Sequence, residues 1–233
     1  MSTNSETVKL LEYAHRAMSA VEPDLVDRFV GLIEFLTLHP QLATTRRSRH
    51  APSVLSHQYI SETARGFAMG RARRVPTKPA TVPDPMVAVI LRDYWKIEAD
   101  HVSRAVDEHQ LAMASENIIG SILEHYIASV IEHRGWIWCS GEYVRSVDFI
   151  ARPTAANGAW RMLQVKNRDN SENSSSARVR EGTEILKWHR SFSRRPQTNW
   201  PAFPDPAAVE HLSEDGFVEF TSAYLTADRT RST

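Results

Sequence analysis

"MLQVKNRDNSENSSS", residues 162–176, runs from a short apolar segment straight into a polar, serine-rich tract, with Lys166 at the junction. Met162, Leu163 and Val165 suit a strand of a buried sheet, since such side chains pack well on a pleated surface. Alternate residues of a strand project from one face, so Gln164 and Lys166 share a face. Upstream, Asp148 interrupts the apolar run V-D-F-I of a neighbouring strand. A carboxylate buried without a partner is costly, so Asp148 needs one. A carboxylate facing an amide oxygen and a lysine suits a hard cation such as Mg2+, which takes oxygen ligands. Asp148 would ligate it, the Gln164 side-chain oxygen and the Val165 carbonyl would complete the site, and Glu124 would bind it directly or through water. Lys166 would orient an attacking water and stabilise charge developing on a phosphate. A simpler arrangement uses the same residues: a solvated lysine at a strand end, with Asp148 hydrogen-bonded to a turn.

Working outward, residues 115–134 form the clearest helix. Ile118, Ile119, Ile122, Leu123, Tyr126, Ile127, Val130 and Ile131 recur as pairs every four residues and make one broad apolar stripe. Glu116, Gly120 and Glu124 run along its edge, and Gly135 is placed to end it. Three strands follow, WIWCS, EYVRSVDFIA and AWRMLQVKN. Beyond the serine tract, the spacing of Ile185, Trp188 and Phe192 predicts a helix over 178–192. Gly216–Phe220 reads as a last strand with a short helix after it. The first half reads as helices: one through Leu10–Val21, one from Asp24 to Leu38, one over Ser53–Met69, and a long one from Asp84-Pro85 to Met113. The expected architecture is an α/β core over 112–233, a mixed sheet flanked by helices, behind a helical region over 1–111. That helical region is a candidate for DNA binding or dimerisation.

The 233 residues carry 28 basic and 28 acidic side chains, yet the balance is local. Residues 41–80 hold eight Lys/Arg against the single acid Glu62, and residues 161–195 hold nine against four. Such clustering points to a polyanionic partner, or else to two solvated basic faces. Arg71, Arg73 and Arg74 are candidate phosphate contacts in the first cluster. No apolar run reaches the roughly 20 residues of a membrane helix, and no organic cofactor motif is present. The polar N-terminus and the lone Cys139 fit a reducing, cytoplasmic setting. Cys139 suits a small strand residue, and His125 and His133 suit surface positions.

The span from Glu116 to Lys166, "ENIIGSILEHYI", "GWIWCSGEYVRSVDFIA" and "LQVKNRD", resembles the catalytic core of the PD-(D/E)XK nuclease superfamily. "LQVKNRDNSENSSS" with "EGTEILKWHRSF" and "TNW" is similar to the SinI-type type II restriction endonucleases. The resemblance implies a Mg2+-dependent endonuclease that cuts double-stranded DNA at GGWCC, W being A or T. A palindromic target implies a two-fold homodimer. Asp148, Gln164 and Lys166 fall on the three motif positions and Glu124 on the helix glutamate, with Glu116 a secondary candidate. Val147 stands where the superfamily has proline, and Gln164 replaces an acid, which bears on the number and affinity of the metal ions. The segment leaving the strand would reach DNA through Asn167, Arg168, Asn170, Asn173 and Arg178. Two other functions compete: a DNA-binding protein that has lost cleavage, and a repair nuclease without strict sequence specificity.

Overall fold

The computed structural model describes residues 2–44, 51–80, 82–155, 158–169 and 184–227. Helices α1 (Ser2–Ser19), α2 (Val26–Leu38) and α3 (His57–Gly70) form where the spacing predicts them. Phe29, Leu32, Ile33 and Leu36 bury one side of α2 completely. Ser56 caps α3 by accepting from the Tyr59 N–H, which satisfies one of the free donors of the first turn.

The helix expected over Asp84–Met113 is two helices, α4 (Pro85–Asp93) and α5 (Ala99–Ile131). Asp84 caps α4 as anticipated, accepting from the Met86 N–H. At the other end Lys96 takes a left-handed φ of 57° and the Ile97 N–H reaches back to the Leu91 carbonyl. Glycine usually fills that position; here a lysine does, so the break carries no sequence mark. Helix α5 then runs 33 residues, about 50 Å at 1.5 Å per residue, absorbing the helix expected over 115–134. The 111/112 boundary falls inside it. Gly135, at φ +87°, closes the turn after α5 as expected.

The sheet has the order β1 (Trp136–Trp138), β2 (Phe149–Ala151), β3 (Arg161–Arg168), β4 (Ile185–Ser191). The first two pairings are antiparallel and β3–β4 is parallel, which gives the expected mixed sheet. Three expectations need correction. Residues 185–191 are a strand and not part of a helix, while 178–183 lie outside the described residues. Ile185 and Trp188, an odd number of residues apart, bury on opposite faces of the sheet, a pattern that mimics helical spacing. The strand expected over 142–151 is a strand only from Phe149; the rest is a loop with Glu142 at φ 63° and Ser146 at φ 59°. Gly216–Phe220 belongs to a helix. It lies in α7 (Glu214–Thr226), which follows the single turn α6 (Pro206–Val209). Ser213 caps α7 on the Gly216 N–H, and Glu214 and Asp215 suit the positive end of its dipole.

Each sheet face has its own core. Helices α1–α3 pack on Ile137, Val147, Ile150, Met162 and Ile185, so the N-terminal helices share a core with the sheet. On the other face, α5 and α7 pack on Trp136, Trp138, Phe149, Leu163, Val165 and Trp188. A knot of charge ties the layers together. The Arg71 guanidinium donates twice to the Glu132 carboxylate, at 2.8 Å each, and again to the Trp138 carbonyl. Arg28 approaches the same carboxylate at 3.3 Å.

Candidate active site

A cavity of about 590 Å³ opens where α5 passes the end of the sheet. Glu124, Asp148, Gln164 and Lys166 all line it. Asp148 is fixed by backbone on both sides: its N–H donates to the Leu163 carbonyl at 2.9 Å and its carbonyl accepts from Cys139 at 2.8 Å. Its carboxylate Oδ2 accepts from the Val165 N–H at 2.7 Å. In an extended strand the N–H and C=O of one residue leave by the same edge, which turns the Val165 carbonyl toward the edge on which Asp148 lies. Gln164 is 2% exposed. Glu124 is set by Trp138, whose indole N–H donates to Oε2 at 2.9 Å. Gly120, one turn earlier, keeps this wall open, with nothing within 4 Å of where a Cβ would lie.

The electrostatics follow from this crowding. Burial, and then the negative charge of Asp148, push the Glu124 carboxyl up to about 8; the Trp138 hydrogen bond and the Lys166 charge oppose the shift. Burial pushes Asp148 up to about 6 against the Val165 hydrogen bond and Lys166. Glu142, on the strained loop, adds negative charge to both. Two carboxylates held together out of water are what a bound cation relieves. Among the described residues no three His, Cys, Asp or Glu side chains gather into a metal-binding group. The oxygens that could hold a cation here are the two carboxylates, the Gln164 amide oxygen and the Val165 carbonyl. An all-oxygen set fits a hard divalent cation and leaves positions for water.

Other expected site residues are placed differently. Glu116 is exposed on α5, two turns before Glu124 and outside the cavity lining. Arg71 does not stand on a solvated basic face: it is committed to Glu132 and lies over the Phe67 and Trp138 rings. Arg73 donates to the Leu225 carbonyl and lies over Tyr224. Arg74 lines the cavity. Asn167 accepts from the Arg190 Nε at 3.0 Å, and Arg168 ends β3 exposed. Asn170, Asn173 and Arg178 lie outside the described residues. His125 is not a surface histidine: its ring nitrogens meet the Ser121 and Arg71 carbonyls at 2.8 and 3.3 Å, between Trp138 and Tyr224. The chain folds back over this side of α5. His133 is exposed as expected. Cys139 is buried and its thiol pushed well above the usual range by that burial, which leaves it unsuited to nucleophilic work. Sequence reasoning missed Trp138, which lines the cavity from the end of β1, and Glu142 and Arg145, which join it through an irregular loop that the strand pattern hid.

The profile of the SinI restriction endonuclease family matches residues 11–227. The chain belongs to that family. It is 43% identical over 227 residues to the type II restriction enzyme Eco47I of Escherichia coli, covering 97% of this chain and 98% of that protein. It is 42% identical over 215 residues to the type II restriction enzyme SinI of Salmonella infantis, covering 92% and 93%. As a SinI-family member this chain is a type II restriction endonuclease, a site-specific deoxyribonuclease. Among its described residues, no helix is long and apolar enough to cross a membrane.

Proposed function

We propose that this enzyme hydrolyses one phosphodiester in each strand of double-stranded DNA at GGWCC, with Mg2+ as cofactor and two copies acting together. The observation that carries the reading is the Val165 N–H to Asp148 bond, which aligns the strand ends so that Asp148, Gln164 and Lys166 share one cavity with Glu124. Asp148 and Glu124 would hold the cation with the Gln164 and Val165 oxygens. When bound, Mg2+ supplies Lewis acidity and neutralises charge on the phosphate. Lys166 is placed to hold the attacking water and to stabilise the negative charge that builds on the phosphoryl oxygens. Water adds to phosphorus, the bond to one sugar oxygen breaks, and that oxygen leaves with a proton.

For the remaining DNA contacts, Arg74 is the described member of the first basic cluster that reaches the cavity. Asn167 and Arg168 begin the segment that leaves β3, and Asn170, Asn173 and Arg178 continue it in the sequence. We assign phosphate contact to Arg74 and base or phosphate contact to the others. The test is digestion of a plasmid of known sequence with purified protein and Mg2+, followed by sequencing of the ends. Discrete fragments ending at GGWCC support the reading. An uncut plasmid would favour a DNA-binding protein without cleavage, and a smear a nuclease without strict specificity.

A further inference from the structure

From Pro85 to Leu91 helix α4 is apolar on every side, with Arg92 and Asp93 at its end, and not one of its residues is buried. A helix of that composition is normally covered on every side. Val87 and Leu91 face a groove of about 510 Å³ between α4 and α5 that Val82, Val106 and Met113 also line. Met86 and Ile90 form a second row, 57% and 54% exposed, and Tyr94 continues it past the helix end. Tyr94 and Trp95 then stand out at the tip, edge to face, 75% and 66% exposed. Nine residues packed on one neighbour do not make a stable helix in water, so this hairpin needs a further surface.

Nucleic acid does not fit as that surface. Residues 82–113 carry the six acids Asp84, Asp93, Glu98, Asp100, Asp107 and Glu108 against Arg92, Lys96 and Arg104, the reverse of the basic clusters elsewhere. An apolar, net acidic face suits protein. The hairpin itself supplies both halves of a contact: an aromatic knob at its tip and an apolar groove nearer its base. A surface carrying a knob and the groove to receive it is self-complementary under a two-fold axis. Two hairpins lying side by side in opposite directions set each tip beside the other's base.

We propose that the occupant is a second copy of this chain, with Tyr94 and Trp95 of each copy seated in the α4–α5 groove of the other. This extends the reading that two copies act together by naming the surface that joins them. Both partners keep their catalytic cavities, because the cavity lies farther along α5, around Glu124.

The test is sedimentation equilibrium of the full chain without DNA or Mg2+, for wild type, Trp95→Asp, Val87→Lys, and an equimolar mixture of the two variants. Wild type is expected to be dimeric at micromolar concentration. Each variant alone spoils both symmetric contacts and is expected to weaken association at least about a hundredfold. In the mixture, one contact pairs the new aspartate with the new lysine and the other is wild type, so dimer returns. A misfolded variant does not regain association on mixing, so restoration separates loss of surface from loss of fold. A monomeric wild type, variants that stay dimeric, or a mixture that stays monomeric overturns the proposal. Association is read without cleavage, so failure to cut GGWCC leaves it standing, and a monomer that cuts GGWCC removes it alone.

Discussion

Trp138→Phe isolates a single hydrogen bond in the candidate active site. The phenyl ring keeps most of the packing on the α5 side of the sheet but removes the indole N–H that donates to Glu124 at 2.9 Å. That bond holds the Glu124 carboxyl down, against burial and Asp148, which together push it up to about 8. A hydrogen bond to a charged group contributes about 1.5–3 kcal/mol, equivalent to one to two further pH units of upward shift, at about 1.4 kcal/mol per unit. The cation needs the carboxylate, so below that pH protons compete with it. At pH 7 the variant should therefore need about ten- to a hundredfold more Mg2+ for half-maximal cleavage. The deficit should shrink as pH rises past the range in which Glu124 ionises, because the competing proton has left. Wild type should show the same competition more gently, with a steeper Mg2+ requirement below about pH 6, where Asp148 also takes a proton. The assay is the initial cleavage rate of a duplex over a Mg2+ titration at several pH values between about 5 and 10. A half-saturating Mg2+ concentration that is unchanged at pH 7, or raised equally at every pH, would refute the reasoning.

The raised carboxyls also predict a cost of function. A group whose pKa is higher in the folded state stabilises fully below its unfolded value, near 4, and that stability is lost as pH rises through the folded value. The metal-free enzyme should therefore lose Tm between about pH 4 and pH 8, and Mg2+ should restore most at the alkaline end. Asp148→Asn should abolish cleavage yet raise the Tm of metal-free protein at pH 8, by scanning calorimetry. Gln164→Glu adds a charged ligand of similar shape and should lower the Mg2+ requirement, whereas Gln164→Ala should raise it; equal requirements for Ala and wild type would remove Gln164 from the metal. Arg71→Ala removes the two-pronged partner of Glu132 and leaves that carboxylate to Arg28 and the Trp138 N–H, so it should lower unfolding free energy by about 1.5–3 kcal/mol in urea titration. It should leave the salt dependence of DNA binding unchanged, while Arg74→Ala should flatten that slope by about one unit.

The gathering of the candidate site residues in one cavity was legible because it follows strand alternation. Gln164 and Lys166 had to share a face, and an aspartate inside V-D-F-I had to find a partner, whatever the loops around them did. The helices of the first half were legible because α1, α2 and α3 each bury one apolar side and are punctuated by proline or a capping serine. What the sequence concealed lay where one pattern imitates another. Ile185 and Trp188 sit at a helical interval because the parallel strand they occupy is buried on both faces. The split between α4 and α5 is closed by a lysine in a glycine's conformation. Arg71 could not be told from its neighbours, because its partner Glu132 lies 61 residues away, at the far end of α5.

Helix α5 carries both the exposed hairpin at its start and Glu124 near its end, without interruption. It therefore behaves as a ruler with a phase. One added turn slides the Glu124 end about 5.4 Å along the axis and leaves it facing nearly the same way, whereas one added residue swings it by about 100°. Relatives whose cleavage positions lie a different number of base pairs apart should differ along this helix by whole turns and seldom by single residues. Register in the rod, more than chemistry in the cavity, would then set how the two cuts are spaced.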